Sequence, residues 1–314
     1  MFAWGITHMS IVFFGTPEFA VPSLKALIAS GERISLVVTQ TDKLKGRGHK
    51  MAPPPVKVAA VEAGLEVLQP AALCDERFQG ELASTRPEFI VVVAYGKILP
   101  KSALDLPQRG CVNIHASLLP KYRGAAPIAW AILRGEEKTG ITTMLMDEGL
   151  DTGPTLLRQE VEIAADDTAG TLGAKLSNIG ASLLEETIRG MRAGLVKPSP
   201  QTGVATYAPP LKKEDGLIDW SKSAAEISCV VRAMQPWPSA YCYLNHERVM
   251  LLKAIPIEGN GMPRTIVRIK KDALVIGTGR GLLALKELQP SGKRPMPASA
   301  FILGRNLIEG TSLL

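Results

Sequence analysis

The sequence predicts an α/β fold with a doubly wound, mainly parallel sheet, followed by a second domain built as a small β-barrel. Over the first two-thirds of the chain, apolar runs such as Val91-Val92-Val93 alternate with helical patterns. Such continuous runs are typical of parallel strands covered by helices on both faces. The pattern then changes to short, closely spaced strands, and 314 residues suffice for two domains.

In the first domain, residues 9–193, the strands are predicted over Ile11 to Phe14, Ser35 to Thr39, Phe89 to Ala94, Cys111 to His115, Ile141 to Met146 and Thr155 to Ile163. Helices are predicted over Glu18 to Ser30 and Val56 to Ala63, each followed by a glycine. A third, long helix begins at a cap provided by Asp167 or Thr168 and runs to about Ala193.

The proline-rich segment at residues 194–210 predicts a linker to a second domain at residues 211–314. One helix is expected from about Ala224 to Met234. The strands of a small barrel are then expected at Tyr241 to Leu244, Arg248 to Ala254, Thr265 to Lys270, Ala273 to Gly277 and Gly281 to Leu288.

The net charge of the chain lies entirely in its C-terminal third. Up to Val204 there are 21 Lys and Arg residues against 21 Asp and Glu, and from Ala205 onwards 15 against 9. A neutral body with a basic appendage suggests a small-molecule reaction in the first domain and a polyanion held by the second. A merely soluble basic surface explains the charge equally well.

Several classes of protein are disfavoured. No run approaches the roughly 20 apolar residues of a membrane helix, and Met1 to His8 lack the features of a secretory signal. Met9 precedes the first strand and is an alternative start, so we expect a cytoplasmic protein whose fold begins there. The sequence has four cysteines, Cys74, Cys111, Cys229 and Cys242. They form no Cys-x-x-Cys pair and no Cys/His cluster, which predicts buried thiols and neither a disulfide nor a metal site.

The first strand-to-helix turn, Phe14-Gly15-Thr16-Pro17-Glu18, is not a nucleotide-binding loop. It lacks both the Gly-x-Gly-x-x-Gly pattern and the Lys-Ser/Thr of a phosphate-binding loop. We interpret it as a tight structural turn.

The most informative run is Asn113-Ile114-His115-Ala116-Ser117-Leu118-Leu119-Pro120, at the end of a predicted strand. Asn113 and His115 are two residues apart and leave the strand on one side. In an open α/β sheet, ligands bind beyond the carboxyl ends of the strands. An amide beside an imidazole can stabilise an oxyanion and exchange a proton, which acyl transfer requires.

A carboxylate that orients His115 is expected in the later loop Met146-Asp147-Glu148-Gly149-Leu150-Asp151-Thr152-Gly153. Gly149 and Gly153 are expected to permit unusual backbone angles there. Asp151 is the candidate, although spacing alone allows Asp147 or Glu148 to take this role.

These motifs resemble the folate-dependent formyltransferases, through Asn-x-His-x-Ser-Leu-Leu-Pro, the following Arg123-Gly124-Ala125-Ala126-Pro127-Ile128, and Asp-x-Gly-x-Asp-Thr-Gly. The resemblance runs from Met9 to about Phe301 and extends to the members that act on methionyl initiator tRNA. It rests further on Phe14-Gly15-Thr16-Pro17, Gly46-Arg47-Gly48, Val92-Val93-Ala94-Tyr95-Gly96, Asp167-Thr168-x-Gly170-Thr171-Leu172, Ile218-Asp219-Trp220 and Pro236-Trp237-Pro238.

The resemblance implies a Rossmann-like catalytic domain, an OB-like barrel and formyl transfer from 10-formyltetrahydrofolate without a metal. Asn113, His115 and Asp151 match the catalytic residues of the family. The segment lining the folate pocket matches Ser117, Leu118, Leu119 and Pro120, with a Leu119-Pro120 bond that the family leads us to expect as cis. Tyr95 and Gly96 are implied to contact the pterin through main-chain atoms.

The loop from Thr41 to Pro55 holds one acid, Asp42, among its basic residues Lys43, Lys45, Arg47, His49 and Lys50. A mobile basic loop suits contact with an RNA acceptor end, with Arg47 nearest to it, although an ordinary solvated loop has the same composition. Cations of the second domain are expected to follow the tRNA backbone: Lys212, Lys213, Arg248, Lys253, Arg264, Arg268, Lys270, Lys271, Lys293 and Arg294. Trp220 and Trp237 are expected in the core.

Other functions use parts of the same pattern. Formyl transfer to a small amine, such as glycinamide ribonucleotide or an amino sugar, needs the same three residues but no basic loop or barrel. Hydrolysis of the formyl-folate and a non-enzymatic RNA-binding role are further alternatives. The lack of an evident interface signal favours a monomer.

Overall fold

A computed structural model describes residues 9–45 and 50–313. In it the first apolar run forms an inner strand of the large sheet. The chain divides into two compact units. The first runs up to Ala125 and resumes at Thr139–Val161 and Gly173–Tyr207, and the second comprises Ala126–Lys138, Glu162–Leu172 and the residues from Ala208 onwards.

The first unit is built on a seven-stranded sheet. Its strands are β1 (Ile11–Gly15), β2 (Ile34–Val38), β5 (Val67–Leu68), β6 (Phe89–Val93), β7 (Cys111–His115), β8 (Lys138–Leu145) and β9 (Thr155–Glu162), while β3 (Lys43–Lys45) and β4 (Lys50–Ala52) form a separate pair. The order across the sheet is β5-β2-β1-β6-β7-β8-β9. Neighbours from β5 to β7 are parallel and β8 runs antiparallel to β7, which confirms the mainly parallel sheet.

The helices of the chain follow the same alternation with strands. They are α1 (Val21–Ala29), α2 (Pro55–Glu62), α3 (Glu76–Ser84), α4 (Lys101–Leu104), α5 (Pro127–Leu133), α6 (Ala169–Arg192), α7 (Ala224–Ala233) and α8 (Ala298–Leu303). Short 3₁₀ turns occupy Glu18–Ala20 and Lys213–Gly216. Every residue of β1, β6 and β7 is buried, as expected for strands covered on both faces.

Thr168 caps the long helix α6. Its Oγ1 accepts the N–H of Thr171 at 3.1 Å, the contact an N-cap residue makes with the third residue of a helix. The carboxylate of Asp167 instead accepts the N–H of Ala164, before the helix, at 2.8 Å. The structure therefore decides between the two predicted caps in favour of Thr168.

The second unit carries a six-stranded antiparallel sheet, consistent with a small barrel. Its strands are β10 (Ala240–Leu244), β11 (Glu247–Ile257), β12 (Ile266–Lys270), β13 (Ala273–Gly277), β14 (Leu282–Pro290) and β15 (Met296–Pro297). They are ordered β10-β11-β14-β13-β12, with β15 paired to β14. All five predicted strands are present, and Ser223 with Glu226 forms a reciprocal cap at the start of α7.

The two predicted core tryptophans behave differently. Trp220 is 4% exposed and packs in the core of the second unit, as predicted. Trp237 is 54% exposed, so its prediction was wrong. It lies between two prolines in the segment that links α7 to β10, and connecting segments run over the surface.

The cysteines also differ from one another. Cys111 and Cys242 are buried, and burial raises the pKa of each thiol to about 12, so both remain protonated. Cys74 is exposed and Cys229 is half-buried, so the prediction of buried thiols was wrong for Cys74. Within the described residues, no helix combines the length and apolar character needed to cross a membrane.

Candidate active site

Two polar side chains leave the carboxyl end of β7 on the same side of the sheet. Asn113 and His115 are 9% and 5% exposed, and β7 lies between β6 and β8. The backbone around them is fixed by pairing on both edges, since Asn113 pairs with Val92 on one side and Met144 on the other. The structure thus places both residues where open α/β sheets bind ligands.

A main-chain carbonyl fixes one nitrogen of the His115 ring. Nε2 lies 2.9 Å from the carbonyl oxygen of Tyr122, and because a carbonyl only accepts, Nε2 must carry a proton and donate. Nδ1 faces Asp151, with 3.5 Å between Nδ1 and Oδ2. That distance is too long for a strong hydrogen bond but short enough for a charged pair. Nδ1 is therefore the nitrogen left to exchange a proton.

Asp151 is held by the loop that also supplies Tyr122. Its Oδ2 accepts the main-chain N–H of Gly124 at 2.8 Å, and its side chain is 16% exposed. The φ angle of Asp151 is +52°, a left-handed conformation that is uncommon outside glycine and marks a constrained position. The carboxylate is thus directed at the imidazole from a defined backbone.

The two competing acids of the same loop point elsewhere. Asp147 accepts hydrogen bonds from the Gly149 N–H and the Thr152 hydroxyl, so it shapes the loop itself. Glu148 pairs with Lys101 at 2.8 Å in a solvent-exposed contact. Of the three acids, Asp151 is the one whose carboxylate lies beside the His115 ring.

The glycines of this loop serve a different purpose from the one predicted. Neither Gly149 nor Gly153 is among the glycines with positive φ. A Cβ on Gly153 would lie 1.9 Å from the carbonyl oxygen of Leu145, and one on Gly149 would lie 2.0 Å from the Thr152 hydroxyl. The expectation of unusual angles was wrong here, because close approach of neighbouring atoms is what excludes a side chain.

The amide of Asn113 is uncommitted. It makes no hydrogen bond to any other residue in the described part of the chain, although it is 9% exposed. A buried polar group normally has a partner. The Asn113 amide is therefore available to a ligand beside the imidazole.

The segment after His115 is fastened to β8 by one threonine. Thr142 Oγ1 donates to the Ser117 carbonyl at 2.7 Å and accepts the Leu119 N–H at 3.1 Å. The Ser117 hydroxyl donates to the Lys121 carbonyl, so this side chain holds the turn, and Leu119 is 1% exposed. The Leu119-Pro120 bond is cis, as the family resemblance led us to expect.

A second turn, Tyr95-Gly96, follows the carboxyl end of the neighbouring strand β6. The Tyr95 carbonyl accepts from Thr16 Oγ1 at 3.0 Å and from Gln40 Nε2 at 2.8 Å, which fills its accepting capacity. The ring is buried, which raises the pKa of Tyr95 to about 12. The main-chain N–H groups of Tyr95 and Gly96 donate to no other described residue, so they are the atoms this turn can offer to a ligand.

The predicted basic loop is partly regular structure. β3 and β4 pair antiparallel, from Lys43 opposite Ala52 to Lys45 opposite Lys50, where a mobile loop was expected. The pairing of the two main chains explains the difference. Arg47 and His49, with the two glycines around them, lie outside the described residues.

Asp42, just before this hairpin, is bonded to residues beyond it in the chain. Asp42 accepts two hydrogen bonds from Lys57 at 2.9 and 3.0 Å and one from Gln69 at 2.8 Å. The bonds from Gln69 and then Lys57 hold the pKa of Asp42 below its usual value. Lys43 donates to Gln40 Oε1 at 2.7 Å. Asp42, the one acid in the sequence of residues 41–55, is thus paired with Lys57 of α2 and bonded to Gln69.

Sequence reasoning missed the contacts that hold these groups in place. The Tyr122 carbonyl and the Gly124 N–H act through the main chain, where residue identity gives little signal. Gln201 was assigned to a linker, yet its side chain bonds to both loops of the site. A glutamine in a proline-rich segment carries no sequence pattern that would reveal this.

Profiles of known families match both parts of the chain. The family described as "Formyl transferase" matches residues 9–188, and "Formyl transferase, C-terminal domain" matches residues 210–306. A methionyl-tRNA formyltransferase of Thermodesulfovibrio yellowstonii is 55% identical over 300 residues, covering 96% of this chain and 97% of that protein. One of Desulfotalea psychrophila is 48% identical over 302 residues, covering 95% and 94%.

Solved structures share the fold at low sequence identity. WlaRD, a sugar 3N-formyl transferase solved in the presence of dTDP and 5-N-formyl-THF, has a TM-score of 0.68 and 19% identity, covering 91% of this chain and 99% of that one. HypX from Aquifex aeolicus in complex with tetrahydrofolic acid has a TM-score of 0.64 and 19% identity. The match covers 95% of this chain and 47% of HypX, so this chain spans about half of that protein.

Proposed function

The chain belongs to the formyl transferase family, and on that premise we propose that it transfers a formyl group from 10-formyltetrahydrofolate to the free amino group of methionyl initiator tRNA. The product is formylmethionyl-tRNA, which serves translation initiation in the cytoplasm. Two relatives named methionyl-tRNA formyltransferase support this function, since they are 55% and 48% identical to this chain over nearly their whole length. The observation that carries the chemistry is the imidazole of His115 placed between a main-chain acceptor and the Asp151 carboxylate.

Bound folate would supply an electrophilic formyl carbon. We propose that Asn113 donates its amide N–H to the formyl oxygen, where negative charge develops as the methionyl amine attacks. His115, protonated at Nδ1, donates to the same oxygen, and the nearby Asp151 stabilises this charged form. Asp151 also takes up the proton that the attacking amine loses, through water. A C–N bond to methionine forms, the C–N bond to folate breaks, and the proton returns to the folate nitrogen.

The residues present fit a folate molecule. The free main-chain N–H groups of Tyr95 and Gly96 are suited to the acceptor atoms of a pterin ring, and the carboxyl ends of β6 and β7 are adjacent in the sheet. The segment from Ser117 to Pro120 forms a second wall that Thr142 holds in shape. We propose that Leu118, which is half-buried, presents its side chain to the ligand, while Ser117 and Leu119 maintain the wall.

Transfer of labelled formyl from 10-formyltetrahydrofolate to methionylated initiator tRNA tests this function directly. Formyl release without tRNA would indicate a hydrolase, and transfer to a free amino sugar or glycinamide ribonucleotide would indicate a small-amine enzyme. Salt-sensitive tRNA binding without any transfer would indicate a binding protein. Each of these three results would contradict the proposal.

Replacing Asn113 with alanine is expected to lower kcat by roughly 10²–10³-fold, the usual loss when one oxyanion donor is removed. The KM values for both substrates should change little, because the amide acts mainly as charge develops. Steady-state formylation kinetics measure this. The matched control is Asn178→Ala, which removes an exposed amide on α6 and should leave kcat unchanged.

We propose that the basic hairpin around β3 and β4 contacts the acceptor end of the tRNA through Lys43, Lys45, Arg47 and Lys50. The contacts of Asp42 support this, because the one acid in the sequence of this segment is paired with Lys57 and bonded to Gln69. The ten cations named above in residues 211–314 are all exposed and are proposed to follow the tRNA backbone. Such contacts add affinity more than sequence selection.

Replacing Arg47 with alanine should weaken the use of tRNA and spare the use of folate. A hydrogen bond to a charged group contributes about 1.5–3 kcal/mol, so the KM for tRNA should rise about tenfold or more, with a shallower salt dependence. Kinetics at several salt concentrations measure both effects. Arg77→Ala is the control, since Arg77 is an exposed arginine on α3 that pairs with Glu81. An equal loss in both variants would indicate a general effect of charge.

A further inference from the structure

One glutamine outside the catalytic motifs uses its whole side-chain amide to join the two loops of the site. Gln201 Nε2 donates to the carbonyl oxygens of Asp151 and Gly153, both at 2.8 Å. Its Oε1 accepts from the guanidinium of Arg123, at 2.7 Å from Nη2 and 3.2 Å from Nε. Both amide protons and the amide oxygen are therefore engaged.

The two loops that Gln201 joins lie on either side of His115. The loop with Arg123 supplies the Tyr122 carbonyl that binds Nε2 and the Gly124 N–H that binds the Asp151 carboxylate. The other loop supplies Asp151 itself, whose Oδ2 lies 3.5 Å from Nδ1. The separation of the two loops thus sets where the carboxylate lies relative to the imidazole.

The segment that carries Gln201 is itself anchored. Ser199 and Thr155 exchange main-chain hydrogen bonds of 2.8 and 2.9 Å. Further along, Thr206 accepts the Tyr122 N–H with its hydroxyl at 2.8 Å and the Arg123 N–H with its carbonyl at 2.8 Å. Gln201 lies between these two anchors, so its amide is presented from a fixed backbone.

The backbone of Asp151 needs such support. Its φ of +52° is costly for a residue with a side chain and persists only where surrounding contacts impose it. The bond from Gln201 to the Asp151 carbonyl is one such contact, made to the strained residue directly. The bond from Gly124 holds the carboxylate but not the peptide that carries it.

We propose that Gln201 is a positioning residue for the formyl-transfer reaction, which holds Asp151 in the conformation that faces His115. This inference rests on the proposed function, because it assigns Gln201 a part in the same proton transfer. Gln201 does not touch the reacting atoms. It acts by fixing the distance between the carboxylate and the imidazole.

Replacing Gln201 with alanine should lower kcat by roughly 10- to 100-fold, the scale on which a displacement of about 1 Å in a catalytic group reduces rate. The KM values for tRNA and for 10-formyltetrahydrofolate should stay within about twofold, since the amide of Gln201 is fully engaged by Arg123, Asp151 and Gly153. Gln159→Ala is the matched control, because Gln159 is an exposed glutamine on β9 of the same unit. A rise in KM with unchanged kcat would overturn the proposal.

Gln201→Glu tests separately the contact of the Gln201 side chain with Arg123 and its contacts with Asp151 and Gly153. A carboxylate can still accept from Arg123 but cannot donate to the carbonyls of Asp151 and Gly153. We expect this variant to be as slow as Gln201→Ala, although its side chain fills the same space and keeps the Arg123 contact. Activity equal to that of the unmodified chain would show that the link to Asp151 is unimportant and would overturn the inference.

A double-mutant cycle with Asp151→Asn provides the decisive readout. If Gln201 acts through Asp151, Gln201→Ala should add little further loss once the carboxylate is gone. An additional loss of the same factor would show an independent structural effect and refute the proposal. Failure of the function itself has a different signature, since the unmodified chain would then not formylate tRNA or Asp151→Asn would keep full activity.

Discussion

Replacing His115 with alanine is expected to lower kcat for formyl transfer by roughly 10²–10⁴-fold, the usual contribution of one acid-base group. The imidazole is 5% exposed and donates its Nε2 proton to the Tyr122 carbonyl. In the proposed mechanism Nδ1 donates to the formyl oxygen. Alanine removes both the donor and the partner of Asp151. Single-turnover transfer of labelled formyl to methionylated tRNA measures the chemical step without interference from product release.

The control for this variant is His246→Ala. His246 is an exposed histidine between β10 and β11, outside the first unit, so its loss should leave the rate unchanged. Binding of tetrahydrofolate to His115→Ala should persist, because the proposed pterin contacts come from Tyr95 and Gly96. Full formylation activity in His115→Ala would refute the mechanism.

Replacing Asp151 with asparagine should lower kcat by a similar roughly 10²–10⁴-fold. Asparagine has nearly the same shape, and its side-chain oxygen can still accept the Gly124 N–H that now binds Oδ2 at 2.8 Å. What is lost is the negative charge beside Nδ1, which in the proposed mechanism takes up the proton of the amine. The comparison of Asp151→Asn with Asp151→Ala tells charge from packing, since near-equal rates would assign the loss to the charge.

Glu148→Gln is the control within the same loop. Glu148 pairs with Lys101 at the surface, so neutralising it changes the local net charge by the same amount without touching the imidazole. We expect it to retain the rate of the unmodified chain. A loss equal to that of Asp151→Asn would mean that overall loop charge matters, and the role of Asp151 would have to be abandoned.

The sequence predicted the sheet well, and it predicted that Asn113 and His115 end one of its strands, because both features depend on local patterns. The buried runs of β1, β6 and β7 are continuous apolar segments, and Asn113 and His115 share a face through the simple period of a strand. Elements stabilised mainly by partners elsewhere were missed. The β3–β4 hairpin lies in a segment of charged residues and glycines. Helix α3 buries only Phe78 and Leu82, and α5 is apolar at every position, so neither shows the repeated spacing that marks a helix with one apolar face.

The acid that lies beside His115 could not be identified from residue spacing in the sequence. Three acids lie within five positions in the loop from Asp147 to Asp151, and spacing could not choose among them. Hydrogen bonds from Thr152 and Lys101 commit the other two, which only a three-dimensional arrangement reveals. The bridge made by Gln201 was hidden for the same reason, because it joins residues 50 positions apart through main-chain oxygens.

The acceptor that binds Nε2 of His115 is the main-chain carbonyl of Tyr122, so it does not depend on which side chain occupies that position. Because every amino acid brings an identical carbonyl, substitutions of Tyr122 leave the proton on that nitrogen undisturbed. Two properties limit the residue. Its φ is +59°, an angle that branched side chains tolerate poorly, and its ring is buried, at 8% exposed. Mutational scanning should therefore separate the two limits, with valine and isoleucine losing stability through the backbone angle and glycine losing it through the cavity left by the ring.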